Sequence, residues 1–286
     1  MNELELVSWI AARGKGIGDD CAILPGGRGN DLVITTDMLI EGVHFRRADP
    51  PALAGHRVLA RGLSDIAAMG ATPRWCLLSL AVPAWATEAW TKSFYEGLLA
   101  LAKQHRTHLV GGDLSHARAA AADIVVIGEA PHGEALPRSG ARPGDGIYVS
   151  GALGAAGARR YAAAKVEPRL ALGRWLRGKA SACMDITDGL SLDLHRLCTA
   201  SRAAAVVDRP LPVAPGATLE HALSAGDDYE LLFTAPGPIA ARHRGLALTR
   251  VGTIVRGAPG RIELFGQPHS PRGYDHLAVK PRRKSR

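Results

Sequence analysis

The residues best able to do chemistry in this chain are short acids in recurrent surroundings. Aspartates outnumber glutamates sixteen to eleven, and many sit beside Gly or Thr at the ends of apolar runs. They are GDD with Asp19 and Asp20, TTD with Asp37, GGD with Asp113, MDITDG with Asp185 and Asp188, and GDDYE with Asp227, Asp228 and Glu230. A carboxylate at a strand end is a rigidly placed hard oxygen ligand, and an adjacent glycine lets a metal or phosphate approach the backbone. One Gly-Asp pair is an ordinary turn; the recurrence beside hydrophobic runs is what carries weight. Asp65, in ALAGHRVLARGLSDIAAMGATP, comes from a different element, seven residues after Val58 and four before Met69, on an apolar helical side. A carboxylate there is either half of a buried ion pair, for instance with Arg61 one turn earlier, or a metal ligand facing a cleft. An acidic basin of this size repels ATP unless several cations bridge the two, so the constellation implies multi-metal phosphate chemistry.

Other nucleotide and catalytic signatures are missing. No GxxxxGK[ST] occurs, GKGIGDD (14–20) lacks that spacing, and GALGAAG (151–157) is not GxGxxG; it reads as a helix-packing turn, the alternative being backbone amides presented to a phosphate. HRD, DFG and GxSxG are absent, and the eleven histidines show no HExxH spacing. His44, in EGVHF just after TTD, is the histidine that stands out.

Elements that could position these residues alternate along the chain. Strands are expected at 32–37, 76–83, 123–130, 146–151, 182–187, 229–236 and 251–255, and helices at about 53–69, 87–105, 154–165 and 190–202. The fold class is therefore αβ. HGEALPRSGARPGDG (132–146) is the sharpest break in composition and places a domain boundary near residue 137. With 286 residues, 47% hydrophobic and 22% charged, the chain is long enough for two domains and is composed like a folded protein. The net charge of +8 owes five positive charges to the segment 280–286, so a solvated basic terminus is expected rather than a nucleic-acid arm. No apolar run is long enough to span a bilayer and MNELELVSWI is unlike a signal peptide, so a cytoplasmic location is expected. The four scattered cysteines are expected as reduced, mostly buried thiols.

In order, GIGDDCAIL, ITTDMLIEGVHF, LSDIAAMGATP, LVGGDLS, RSGARPGDGIYVSG, MDITDGLSLDL, GDDYELLF and GYDH resemble the thiamine-monophosphate kinase family over nearly the whole chain. The resemblance implies a two-domain aminoimidazole ribotide synthetase-like fold. Residues 1–137 would form an N-terminal αβ domain that binds ATP and magnesium and dimerises; residues 138–286 would form a C-terminal αβ domain closing over nucleotide and substrate. It also implies transfer of phosphate from ATP to thiamine monophosphate, giving thiamine diphosphate, with several Mg2+ ions and a homodimer. Matched position by position, Asp20, Thr35, Thr36, Asp37, Asp65, Asp113, Asp185 and Asp188 fall at metal-binding positions, with Asp37, Asp65 and Asp113 central to catalysis. Gly112, Asp113, Arg138 and Thr187 fall where the family contacts ATP, and His44, Asp227 and Tyr274 where it contacts thiamine phosphate. Two positions depart from the family pattern: Asp227 replaces the usual Glu of GGEDYEL, and Thr187 stands where Ser is common.

The rival expectations are a selenophosphate synthetase, a hydrogenase-maturation protein or aminoimidazole ribotide synthetase itself. From other classes come a non-enzymatic Mg-ATP-binding regulator and a nucleic-acid binder using the basic end.

Overall fold

The computed structural model describes residues 3–159, 164–275 and 277; the basic segment 280–286 lies outside them. After α1 (Glu3–Ala11), the chain builds a five-stranded sheet from β1 (Ala22–Pro25), β2 (Asn30–Ile40), β3 (Thr72–Pro83), β4 (His108–Ala117) and β5 (Ala121–Pro131). The strand order is β1-β2-β5-β3-β4, with only β3 and β4 parallel. Helix α2 (Pro51–Ala68) connects β2 to β3, and α3 (Glu88–His105) connects β3 to β4. Strand β2 alternates sharply: Val33, Thr35 and Leu39 are buried, while Thr36 and Met38 are exposed on the other face.

Helix α2 is the hub. Every residue from Ala54 to Ala68 is buried except Asp65, because the helix is covered on more than one side. A Cβ on Gly55 would lie 1.8 Å from the Phe94 carbonyl oxygen of α3, one on Gly97 of α3 would lie 1.8 Å from that of Ala52, and one on Gly173 would lie 1.8 Å from that of Ala67. These glycines let three helices touch backbone to backbone. Gly173 belongs to α5 (Leu170–Leu176), which follows β6 (Gly146–Ser150) and α4 (Ala155–Ala158).

The second sheet adds β7 (Ala182–Asp185), β8 (Ala204–Val207), β9 (Leu231–Ala235), β10 (Arg242–His243), β11 (Leu246–Val255), β12 (Ile262–Leu264) and β13 (Gln267–His269) to β6. Its order is β13-β12-β8-β11-β6-β9-β7, with β10 paired to β11. Both β6 and β9 are buried throughout, as central strands covered on two faces should be. Helices α6 (Leu190–Ala200) and α7 (Leu219–Ser224) complete the order, and Leu190, Leu194 and Leu197 of α6 pack with Ile147, Val149, Val251 and Ile254.

The expected helix over 154–165 is corrected. Among the described residues of this span only Ala155–Ala158 is helical, with Arg159 at its end, and 164–169 are outside any helix; Gly157 is a poor helix former and packs against His221 and Ala225. The expected strand 182–187 stops at Asp185, after which the chain turns toward α6. GALGAAG does serve as a packing turn, since a Cβ on Gly154 would meet Ala222 and one on Gly157 would meet Ala225. Its Gly154 amide also donates to both Asp228 carboxylate oxygens, at 3.0 and 2.8 Å. Among the described residues no helix is long and apolar enough to cross a membrane.

Candidate active site

The two sheets meet around a cleft of about 910 Å3. Twelve of the sequence-predicted residues line it: Asp20, Thr35, Thr36, Asp37 and His44 from the β1–β2 side; Asp65 from α2; Arg138 from the connection; and Asp185, Thr187, Asp188, Asp227 and Tyr274 from the second half. Gly112 and Asp113 do not. They lie exposed on the edge strand β4, three strand positions from β2, which is roughly 14 Å along the sheet.

The acids are held by unlike partners. Asp65 accepts from Thr35 Oγ1 at 2.6 Å and Asp185 from Ser64 Oγ at 2.5 Å, so both are met by neutral hydroxyls. Burial, then repulsion from Asp185, Asp37 and Asp20, pushes the Asp65 carboxyl well above the usual range. Burial, with Asp20 the chief repelling neighbour, does the same to Asp185. Asp20 is paired with Arg138, while its second oxygen Oδ2 is buried with no hydrogen-bond partner among the described residues. The Arg138 amide also donates to Asp19.

Asp37 is engaged by Arg61, not left to a neighbour on its own strand. Arg61 Nε and one terminal nitrogen each donate to a different Asp37 oxygen at 2.9 Å. The ion pair considered between Arg61 and Asp65 does not form; the guanidinium reaches across to β2, and Asp65 turns to Thr35. The remaining Arg61 nitrogen donates to Tyr229 Oη at 2.8 Å, and Tyr229 Oη donates to Asp227 Oδ1 at 2.9 Å. Arg57 pairs with Asp227 Oδ2 at 3.1 Å and donates to the His44 carbonyl at 2.9 Å. One network thus runs from Asp37 to Asp227 and back to His44.

Backbone geometry at the far end is strained. Asp227 and Tyr229 adopt φ of 57° and 52°, left-handed values that are costly for side chains of this size. The loop is pinned there by Asp227 N to Thr187 O at 2.8 Å and Tyr229 N to Ile186 O at 2.9 Å. Tyr274 is brought alongside by its amide, which donates to Asp188 O at 3.0 Å. Asp193 organises the turn opposite: Oδ2 accepts from the amides of Thr187, Asp188 and Gly189 at 3.0, 3.0 and 3.1 Å, and Arg196 pairs with both Asp188 and Asp193.

The donors suit a hard divalent cation, being carboxylates and threonine hydroxyls without sulfur. Among the described residues no three Asp, Glu, His or Cys side chains already form a metal cage. The fit rests instead on the bare Asp20 oxygen and on buried acids whose mutual repulsion a cation would relieve. Cys21 contrasts with an activated nucleophile. It is buried, and that burial, reinforced by the nearby Asp65 and Asp20, pushes its thiol well up. All four cysteines are buried and unbridged, as expected.

Arg57, Arg61, Ser64, Tyr229 and Asp193 were not singled out as site residues from sequence. A signal was present for some of them: Arg57, Arg61 and Asp65 recur every four residues, a single stripe on α2.

The family model for "AIR synthase related protein, N-terminal domain" matches residues 18–130. The thiamine-monophosphate kinase of Escherichia coli (strain K12) is 36% identical over 301 residues, covering 92% of each chain. The chain belongs to the thiamine-monophosphate kinase family. A solved structure described as AaThiL complexed with AMPPCP and TMP superposes with a TM-score of 0.88 at 28% identity, covering 96% of this chain and 97% of that one. Hydrogenase maturation protein HypE shares the fold alone, with a TM-score of 0.70 at 19% identity over 91% of this chain and 94% of its own. The aminoimidazole ribotide synthetase-like fold expected for a thiamine-monophosphate kinase is therefore the fold observed.

Proposed function

We propose that this protein transfers the terminal phosphoryl group of ATP to thiamine monophosphate, yielding ADP and thiamine diphosphate. The observation that carries the proposal is the cleft, which collects acids from both halves of the chain around a volume able to hold two phosphate-bearing ligands. The family relationship and the ligands named for the AaThiL structure support it.

The acceptor is a phosphate already ionised at neutral pH, so no side chain is needed to take a proton from it. That accounts for a site built of aspartates and arginines. Asp20, Thr35, Thr36, Asp37, Asp65, Asp185 and Asp188 are the proposed magnesium holders. Bound Mg2+ would neutralise phosphate charge and align donor and acceptor. Arg138 and Thr187 would steady the nucleotide phosphates, and Asp227, His44 and Tyr274 the thiamine phosphate. The strained 227–229 loop fixes the acceptor end against the turn at Thr187, so bound donor and acceptor phosphates would be positioned rather than gathered by diffusion.

Gly112 and Asp113 fit this scheme through a homodimer. On β4 they are too far along the sheet to share an ion with Asp37 of the same chain, and β4 is an exposed edge carrying Val110 and Leu114. A second copy laid on that face could bring them to the neighbouring cleft. The division into a nucleotide- and metal-binding, dimerising part at 1–137 and a closing part at 138–286, and a cytoplasmic location, belong to the same proposal.

The test is acceptor choice. Purified protein with ATP, MgCl2 and either thiamine monophosphate or thiamine is assayed chromatographically. Thiamine diphosphate should form from the monophosphate and no phosphorylated product from thiamine; phosphorylation of thiamine instead would overturn the proposal.

A further inference from the structure

Asp37 differs from its acidic neighbours in having both carboxylate oxygens taken by one cation. Asp65 and Asp185 face neutral hydroxyls, and Asp20 keeps one oxygen bare. Arg61 instead presents its planar fork to Asp37, with Nε and a terminal nitrogen both at 2.9 Å, the geometry in which guanidinium binds carboxylate most strongly. Arg61 is almost fully buried, while Asp37 stays partly open to the cleft. Burial works against its charge, and the oxygens of Tyr229, Asp37 and Asp227 outweigh that, keeping it protonated.

We propose that Arg61 is a built-in cation that competes with divalent metal for Asp37 and, through Tyr229, links metal loading to the acceptor end at Asp227. The proposal rests on the metal-dependent reaction proposed above. A metal taking an Asp37 oxygen must displace at least one arm of the fork. The displaced arginine has other oxygens in reach: Tyr229 Oη at 2.8 Å and Asp227 Oδ1 at 3.8 Å from the same nitrogen. Metal at Asp37 would therefore shift Arg61 toward Asp227, and whatever binds at Asp227 would feel that shift. By linkage, the acceptor would change metal affinity at Asp37 by the same factor. Asp65, Asp185 and the open side of Asp20 carry no such competitor, so Asp37 should be the weakest of these acids for metal alone.

The test is Mn2+ titration of the full-length protein without nucleotide, with free Mn2+ counted by electron paramagnetic resonance. Arg61→Met should bind Mn2+ about tenfold more tightly than wild type, or bind one further ion per chain, because a buried counter-charge has gone. Arg61→Lys should fall between, since an ammonium cannot span both oxygens. Mn2+ should also raise the melting temperature of Arg61→Met by more than that of wild type. Equal or weaker Mn2+ binding by folded Arg61→Met would overturn the proposal while leaving the metal reading intact. If Arg61→Met does not fold, Arg61→Lys decides the matter: tighter binding than wild type supports the competition, and unchanged binding overturns it. Failure of wild type and all variants to bind Mn2+ would overturn the metal reading and this proposal with it.

Discussion

Asp37 and Asp65 stand at the centre of the cleft from different elements, one on β2 and one on α2, and each is held by an identified partner. Asp37→Asn and Asp65→Asn should lower turnover at least about a hundredfold, because a neutral amide cannot replace a carboxylate that holds a cation. Circular dichroism should be unchanged, since both positions keep an oxygen for Arg61 or Thr35. Asp228 makes a separate prediction about pH. Burial raises its pKa to about 7, against the pull of the Gly154 amide. Its folded value thus exceeds the unfolded one, and the native state holds a proton that the unfolded chain gives up. The stability from this group is full below about pH 4 and is lost as pH rises through 7. Denaturant midpoints between pH 5 and 8 should fall with pH in wild type and fall less in Asp228→Asn. At this scale the acids were legible because Gly and Thr flank them in the chain. Their counter-groups were not, because Arg61 finds Asp37 and Arg138 finds Asp20 only once distant elements are packed.

The elements are held together where glycine lets backbones touch. Gly97→Val should cost more than about 3 kcal/mol or prevent folding, because its Cβ would enter the Ala52 carbonyl. Gly27→Ala, with nothing within 4 Å of the added carbon, should stay within about 0.5 kcal/mol. Thermal unfolding of both variants checks the contrast. Strands with strong apolar runs, such as β5 and β9, were readable from the sequence, and so were α2 and α3. Strand β4 was not read as a strand, since HLVGGDLSHA is interrupted by two glycines and pairs along one side only. The Ala-rich 154–165 reads as helix by propensity, but its described helical part stops at Ala158, where Gly157 packs against His221 and Ala225. Propensity yielded there to tertiary packing.

For the whole molecule, the proposed homodimer is tested at the aspartate of GGD. If Asp113 acts on the neighbouring copy's cleft, Asp37→Asn and Asp113→Asn are each nearly inactive alone. Mixing them with subunit exchange should then restore activity, because one mixed dimer contains one intact cleft. Absence of any recovery, with exchange verified, would place Asp113 in its own chain's site. Leu114→Asp on the exposed edge should shift sedimentation toward a monomer. The αβ class and the family were readable from motif order; the separation of Asp113 from Asp37 was not, because strand order, not sequence distance, sets it.

The most direct test of phosphoryl transfer between metal-clamped phosphates is a 31P NMR time course with purified protein, ATP, thiamine monophosphate and Mg2+, interrupted by excess EDTA. The phosphomonoester signal should be replaced by a diphosphate in step with ADP, and the conversion should stop when EDTA is added. ADP accumulating without the new diphosphate, or transfer continuing at the same rate in EDTA, would contradict it.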